Sequence, residues 1–365
     1  MENKRRHYLD NIRWVVTLAV VLYHVFYMYN GEGIPGVAGK ITNVRVQYWD
    51  LFQYIVYPWL MPIFFIVSGI SAKLYLDHHT GKEFAADRTK RLLIPTTLGL
   101  VAFQFLQGFI NASLSNAIAE MSKLPAPGKY IAIGISCTLS GIGVLWYMQL
   151  LWIFCMVLLL VRVIDKGRLL KVSAKTPAWM IFLFVIPAWG AGLILNTPMI
   201  VVYRFGFYFV FFLLGYFVFS HEEVIERIKK LFPVFAVLSV GLCVAFCILY
   251  FGQNYADAPI NRSPLFAAYG YFGSLAILSG FAGFFDTQTP FSAWMSRHSL
   301  GIYVFHYLGI SAVALFLAKP GILPPAVIYP LSLIAGLAAG IGLYEIISHI
   351  PGYRFAVLGI TKKKS

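Results

Sequence analysis

Few side chains that can move a proton or hold a charge lie inside the long apolar segments of this sequence. They are His24, Arg204, His306 and Glu345. A titratable group in hydrocarbon is unfavourable and by default indicates a functional site. Because a histidine titrates near physiological pH, His24 is a candidate for proton transfer within the membrane.

Arg13 and His24 are predicted to share one face of the first helix. Eleven residues turn the chain by about 1100°, which is roughly 20° more than three full turns, and rise by roughly 16 Å. One line along the helix would then carry a charged anchor at its inner edge and a proton-transfer group at mid-membrane. The alternative is an ordinary snorkelling arginine and a histidine that is hydrogen-bonded within the helix packing.

Arg88 and Arg91 form a second pair, at spacing i and i+3, which brings their side chains to neighbouring positions of a helix. Two guanidinium groups on one face suit phosphate, which each can bind through two hydrogen bonds. The alternative is a positively charged anchor at the cytoplasmic end of a span. Pro95 leaves the carbonyl of residue 91 without its helical donor, which predicts a kink at the entry to this span.

Membrane-spanning helices must position both pairs. Apolar residues make up 59% of the 365 residues and charged residues 12%, whereas average soluble domains have about 45–50% and 25%. The apolar residues occur in blocks of about twenty, the length that spans a bilayer. This pattern excludes a soluble enzyme, a disordered chain and a disulfide-stabilised secreted domain. It predicts an all-α, polytopic transmembrane bundle in a lipid bilayer.

About ten spans are predicted, with both termini in the cytoplasm. They run over residues 12–29, 52–75, 92–111, 144–163, 178–195, 199–219, 232–252, 264–285, 299–318 and 326–347. With the N-terminus inside, the cytoplasmic segments hold 22 of the 29 Lys and Arg residues, among them Lys4, Arg5, Lys362, Lys363 and Lys364. This bias follows the positive-inside rule. It explains the net charge of +14 without nucleic acid as a partner.

The connections between the spans are too short for a separate domain, so residues 1–365 are predicted to form a single integral-membrane domain. The apolar, Gly- and Ser-rich stretch 130–143 is a candidate re-entrant or interfacial piece. His298 is expected to be solvated near a cytoplasmic end. Four cysteines without metal-ligand spacing are expected to be packing residues, and no metal is expected. These are Cys137, Cys155, Cys243 and Cys247.

An ordered series of motifs resembles the membrane-bound acyltransferase-3 family. The run from Arg5 to His24 contains the family's Arg-x10-His spacing, which Arg13 and His24 meet. The motifs that follow, in the family's order, are Phe64-Phe65-Ile66-Val67-Ser68-Gly69, Arg88-x-x-Arg91 before Pro95, Leu145-Trp146-Tyr147, and the run from Ser299 through Tyr303 to His306. They cover most of the chain, and the resemblance is closest to the glucan biosynthesis protein C-like branch.

The resemblance implies an acyl-CoA-dependent, multi-pass acyltransferase of the plasma or inner membrane. Such an enzyme takes a short acyl group, acetyl or succinyl, from cytoplasmic acyl-CoA as co-substrate. It transfers the group to a hydroxyl of an extracytoplasmic carbohydrate of the cell envelope. Carried over residue by residue, His24 is the essential histidine, Arg13 is its motif partner, and Arg88 and Arg91 are the pair linked to the acyl donor.

Residues and resemblance together predict a mechanism. The phosphates of CoA bind to Arg88 and Arg91, and the thioester reaches His24. His24 then acts either as the base that removes the acceptor proton or as a covalent acyl carrier. Arg204 and His306 are candidates for binding the acceptor or for stabilising the oxyanion.

Two transport functions are the alternatives. A polysaccharide or lipid-linked glycan exporter would need a continuous polar path, and the few intramembrane polar groups do not form one. A proton-coupled transporter would use His24, His306 and Glu345 as a relay. The sequence contains no internal repeat, which disfavours transporters built from inverted repeats.

Overall fold

A computed structural model describes residues 6–34, 36–197 and 202–361 of the chain. Across these ranges the regular structure is helical, and the sole β-type pairing is an isolated bridge between Asn196 and Arg204. The all-α prediction is therefore confirmed. The basic residues Lys4, Arg5, Lys362, Lys363 and Lys364, and the beginning of the predicted sixth span at 199–201, lie outside the described residues.

The α-helices are numbered in chain order. They are α1 His7–Met28, α2 Leu51–Leu76, α3 Gly81–Arg88, α4 Ile94–Gly99, α5 Phe105–Leu114, α6 Ala117–Met121, α7 Gly128–Ser140, α8 Trp146–Asp165, α9 Arg168–Ser173, α10 Ala178–Leu183, α11 Val185–Gly192, α12 Phe205–Phe217, α13 Glu222–Lys230, α14 Phe232–Tyr250, α15 Pro264–Phe284, α16 Pro290–Val313, α17 Pro325–His349 and α18 Pro351–Leu358. Three π-helical turns continue them at Thr89–Leu93, Leu100–Gln104 and Ala314–Ala318, and 3-10 turns lie at Tyr48–Asp50, Gly143–Leu145 and Ile260–Arg262.

In the described part of the chain, eight helices are long and apolar enough to cross a membrane, and a ninth span results if α12 and α13 count as one, bent by 109°. The sequence predicts about ten spans, and eight or nine of the described helices meet this criterion. The predicted fifth span, 178–195, is a shorter apolar segment, Ala178–Gly192. It is interrupted at Phe184, because Pro187 has no N–H to bond to the carbonyl of Leu183.

The chain divides into two compact units. The first comprises Met1–Ala19, Leu51–Ala85 and Ile153–Arg297. Its centre is α2, which packs against α12 and α15. A Cβ on Gly69 would lie 2.1 Å from the carbonyl oxygen of Phe212, and one on Gly215 would lie 2.1 Å from that of Ile66. Small residues at this crossing therefore let the backbones of α2 and α12 touch.

The second unit comprises Val20–Asp50, Ala86–Trp152 and His298–Ser365. In it α5 packs against α7, and α18 packs against α4 and α17. The predicted re-entrant stretch 130–143 is mostly the regular helix α7, which ends at Ser140. The following 3-10 turn at Gly143–Leu145 leads into α8, so α7 and α8 are joined through a break in the helix.

Tyr303 of α16 lies against this break, because its hydroxyl donates to the carbonyl oxygen of Val144. Gln104 donates to the carbonyl oxygen of Val304 over 3.3 Å. Irregular backbone at membrane depth persists only where protein or a cavity surrounds it. These side-chain contacts to α16 explain how the second unit accommodates a broken helix next to residues 303 and 304.

All four cysteines are free thiols. Cys137 and Cys155 are buried, which agrees with their expected packing role, and Cys243 and Cys247 are half-buried on α14.

Candidate active site

The rings of His24 and His306 lie side by side in the second unit. His306 Nε2 lies 3.0 Å from His24 Nδ1, which is a hydrogen-bond distance, and the ring centroids are 5.0 Å apart. His24 comes from α1 and His306 from α16, 282 positions later in the chain. The sequence motifs contain both residues, but the structure adds that they form one pair.

The hydrogen-bond partners of His306 determine which ring nitrogen of each histidine carries a proton. Its Nδ1 lies 2.8 Å from the carbonyl oxygen of Ile302 and 2.9 Å from that of Tyr303. Carbonyl oxygens only accept hydrogen bonds, so Nδ1 of His306 carries the proton. A neutral His306 then has a lone pair on Nε2, which accepts from His24 Nδ1–H. In a neutral His24 the lone pair consequently lies on Nε2, where it can act as a base.

The two histidines differ in accessibility. His306 is completely buried, whereas His24 keeps part of its surface exposed. Three tyrosine rings surround His24, with centroid distances of 5.2 Å to Tyr23, 6.2 Å to Tyr27 and 5.0 Å to Tyr307. His24 is therefore the more accessible member of the pair.

Arg88 and Arg91 both face the carboxylate of Asp87 in the second unit. Arg91 Nε lies 2.7 Å from Asp87 Oδ1, and Arg88 Nη1 lies 3.7 Å from Oδ2. One anionic group thus already attracts both guanidinium groups, as a phosphate would. Arg91 is the more accessible of the two, with 60% of its side chain exposed against 20% for Arg88.

Arg91 lies in a helical turn that is wider than an α-helical turn and that ends shortly before Pro95. Residues Thr89–Leu93 are π-helical, and the N–H of Ile94 bonds to the carbonyl of Thr89, five residues earlier. Pro95 cannot supply the ordinary bond to the carbonyl of residue 91, and the π turn changes the pairing locally while the chain stays helical. The kink predicted at Pro95 therefore takes the form of a π turn, a feature common at functional sites.

Arg13 lies in the first unit. It donates to Asp10 Oδ1 over 2.6 Å and to the hydroxyl of Ser71 on α2. Because α1 is unbroken from His7 to Met28, Arg13 and His24 are separated by roughly 16 Å along one helix face. Its role as the motif partner of His24 stays a prediction.

Arg204 is also in the first unit, immediately before α12, and only 2% of it is exposed. Its Nη2 donates to the carbonyl oxygen of Asn261 over 2.5 Å. The guanidinium lies over the rings of Phe207 and Phe266, at 4.3 Å and 4.9 Å from their centroids. Cation–π contacts of this kind stabilise a buried arginine. A role for Arg204 in binding the acceptor or oxyanion stays a prediction.

Residues 6–345 match the family model of the acyltransferase-3 domain, described as "Acyltransferase domain". The chain belongs to this family. No curated protein and no solved structure matches the chain. The glucan biosynthesis protein C-like branch therefore stays a prediction.

Glu345 of this membrane acyltransferase binds a histidine outside the pair. Its Oε1 lies 2.7 Å from Nε2 of His298, which is 3% exposed, so the expectation that His298 is solvated is wrong. His298 precedes His306 by eight residues on α16, or about 12 Å along the axis. This separation weighs against a direct relay through His24, His306 and Glu345, which the proton-coupled transporter requires.

The sequence reasoning missed a group of amides on α5 and the turn before it. Gln107 is buried and donates to Asn111 Oδ1 and to Ser311 Oγ, each over 2.9 Å. Gln104 and Gln107 are polar residues within a predicted span, and that signal could have identified them. Among the described residues no cluster of three His, Cys, Asp or Glu has a geometry that could hold a metal ion.

Proposed function

We propose that this membrane acyltransferase moves an acetyl or succinyl group from cytoplasmic acyl-CoA to a hydroxyl of an extracytoplasmic carbohydrate. The proposal places the enzyme in the plasma or inner membrane. The observation that carries it is the hydrogen-bonded pair of His24 and His306, because this pair holds a basic nitrogen on a partly accessible ring. Acyl transfer to a hydroxyl needs such a base.

In the proposed reaction, Nε2 of His24 removes the proton from the acceptor hydroxyl. The acceptor oxygen attacks the thioester carbonyl, the carbon–sulfur bond breaks, and the CoA thiolate takes the proton from His24. The products are the acyl ester and CoA–SH, and His24 returns to its neutral form. While His24 is charged, its Nδ1–H still donates to His306 Nε2, a charge-assisted hydrogen bond that stabilises the imidazolium.

A second route uses the same nitrogen as a nucleophile. His24 Nε2 attacks the thioester carbonyl, the carbon–sulfur bond breaks, and CoA leaves as the thiolate, which takes a proton from water. The acceptor oxygen then takes the acyl group from the acylimidazolium, its proton passes to solvent, and neutral His24 is restored. Both routes need the Nε2 lone pair, which the contacts of His306 favour. They differ in kinetics, because the covalent route releases CoA before the acceptor reacts.

The spacing of the second unit fits a donor that extends from Arg91 to the histidine pair. Gln104, thirteen residues after Arg91, contacts the carbonyl of Val304 next to Tyr303 and His306, and thirteen residues rise by about 20 Å. A chain advances about 1.2 Å per bond, so the roughly thirteen bonds of the pantetheine arm cover about 16 Å. The side chain of Arg91 can span the remaining distance.

Aromatic residues of the second unit connect the outer loop with the helix end above His24. Trp49 Nε1 donates to the hydroxyl of Tyr329 over 3.1 Å, and the ring of Tyr329 lies 5.2 Å from that of Tyr29. Tyr29 ends this run one residue after α1. Amphipathic rings of this kind suit a sugar, which has apolar faces and polar edges. They support a carbohydrate as the acceptor class.

Calorimetric binding of acetyl-CoA and succinyl-CoA to the purified protein in detergent tests this function. We expect one of the two to bind, with loss of binding in the Arg88→Gln/Arg91→Gln variant. Release of CoA thiol upon addition of a β-glucan oligosaccharide, and its absence in His24→Ala, would then demonstrate transfer. Failure of both donors to bind to folded protein would contradict the function and favour an exporter.

A further inference from the structure

The C-terminal helix α18 lies directly on the segment that carries Arg88 and Arg91. The hydroxyl of Tyr353 donates to the carbonyl of Ala102 over 2.7 Å at one end of the contact. At the other end, a Cβ on Gly359 would lie 2.4 Å from the carbonyl oxygen of Lys90 and 2.7 Å from Cα of Arg91. Helix α18 thus runs antiparallel to the chain from Lys90 to Ala102, and its last residues reach Arg91.

Arg354 of α18 brings another guanidinium to this end. Its Nη2 donates to the carbonyl of Thr361 over 3.2 Å, two residues beyond Gly359. Two residues span about 7 Å at most, so the guanidinium group lies within about 10 Å of Gly359, which packs on the backbone of Lys90 and Arg91. In the part of the chain that the structure describes, Arg354 has no ion pair with Asp or Glu, and its Nε is buried without a hydrogen-bond partner.

The direction of α18 puts this group at the Arg91 end of the contact, away from the end that lies nearest the histidine pair. Tyr353 lies at the level of Ala102, near Gln104 and α16, whereas Gly359 lies at Lys90 and Thr361 follows it. In acyl-CoA the thioester and the adenosine 3′-phosphate are at opposite ends, with the diphosphate between them. A donor whose thioester reaches His24 and whose diphosphate binds Arg88 and Arg91 therefore extends its 3′-phosphate towards Arg354.

The negative charge of acyl-CoA favours an additional guanidinium group near its nucleotide end. The diphosphate carries about two negative charges and the 3′-phosphate about 1.5 to 2 more. Asp87 already offsets part of the charge of Arg88 and Arg91, to which it is paired. The 3′-phosphate therefore adds charge that needs a further cation, and the partly exposed guanidinium of Arg354 can donate a charge-assisted hydrogen bond to one of its oxygens.

We propose that α18 completes the donor site and that Arg354 binds the 3′-phosphate of acyl-CoA. This proposal rests on the proposed function, because it assumes CoA at Arg88 and Arg91. It concerns a segment beyond the family match, which ends at residue 345. Arg354, in α18, would then be a residue that determines specificity for CoA.

Calorimetry with CoA and 3′-dephospho-CoA, on protein in detergent free of phospholipid, tests the proposal. Wild type should bind CoA more tightly, because a hydrogen bond to a charged group corresponds to about tenfold in affinity or more. Arg354→Gln should lose about that factor for CoA and keep its affinity for 3′-dephospho-CoA. Arg354→Lys should keep part of the preference, and the exposed Arg168→Gln should leave both affinities unchanged.

Failure of the proposed function and failure of the role of Arg354 give different results in this experiment. Wild type that binds neither compound would contradict the proposed function itself. Binding that is lost in Arg88→Gln/Arg91→Gln but unchanged in Arg354→Gln would overturn only the role of Arg354. If Arg354→Gln alters CoA binding only in nanodiscs containing anionic lipid, Arg354 binds a lipid headgroup and the proposal is likewise overturned.

Discussion

Nε2 of His306 lies 3.0 Å from Nδ1 of His24, while the other ring nitrogen of His306 faces two backbone carbonyls. The carbonyls fix the proton on His306 Nδ1, and His306 in turn favours the proton on His24 Nδ1. In the proposed mechanism a neutral, buried histidine would take the position where hydrolases use a carboxylate to orient a catalytic histidine. His306 would then be a positioning residue.

Replacement of His306 by alanine removes the acceptor for His24 Nδ1–H. We expect kcat to fall about ten- to a hundredfold, the value of a hydrogen bond to a charged group, with KM for acyl-CoA unchanged. His306→Gln should recover part of the rate, because its amide oxygen can accept the same hydrogen bond. Steady-state kinetics on folded protein measures both. An equal loss in the alanine and glutamine variants would contradict the positioning role.

Local spacing made part of this site predictable. The Arg13–His24 line follows from the helical repeat alone, and the approach of Arg91 to Asp87 is an ordinary i, i+4 contact. Span lengths and charge bias give the all-α class. Each of these features depends on residues within a few turns of one another, for which the sequence pattern is sufficient.

Contacts between distant helices were not predictable in the same way. His24 meets His306 across 282 positions, and His298 meets Glu345 across 47. Both depend on which helices pack together and at which rotation, and a single sequence does not contain this information. The interruption at Phe184 could have been predicted from Pro187, whereas hydropathy alone extended that segment into a full span.

Replacement of Arg88 and Arg91 by glutamine removes two positive charges from the second unit. We expect the donor affinity to fall by at least tenfold, since charge-assisted hydrogen bonds to phosphate are lost, while acceptor binding is unchanged. The wild-type donor affinity should also fall as salt is raised, because screening weakens an exposed pair such as Arg91. Calorimetry at two salt concentrations checks both. An unchanged donor affinity would make the pair a positive-inside anchor.

The close crossing of α2 and α12 predicts that one added methyl group there lowers the stability of the protein. Gly69→Ala would put a Cβ 2.1 Å from the carbonyl of Phe212, so the helices must separate, and overpacking of this kind destabilises by about 1–3 kcal/mol. Gly241→Ala is the matched control on α14, because its Cβ meets nothing within 4 Å. Thermal unfolding in detergent should show a lower Tm only for Gly69→Ala. Equal Tm values would refute the close contact.

A substitution at Gly359 tests whether the segment around it contributes to the preference for CoA over 3′-dephospho-CoA. Its φ of +67° is strained for other residues, and a Cβ there would lie 2.4 Å from the carbonyl of Lys90. Gly359→Ala should therefore move the segment that holds Arg354 near Arg91 and reduce the preference for CoA over 3′-dephospho-CoA. Gly352→Ala on the same helix meets nothing within 4 Å, so it should keep that preference. If both variants discriminate as wild type does, the nucleotide end of the donor is bound elsewhere.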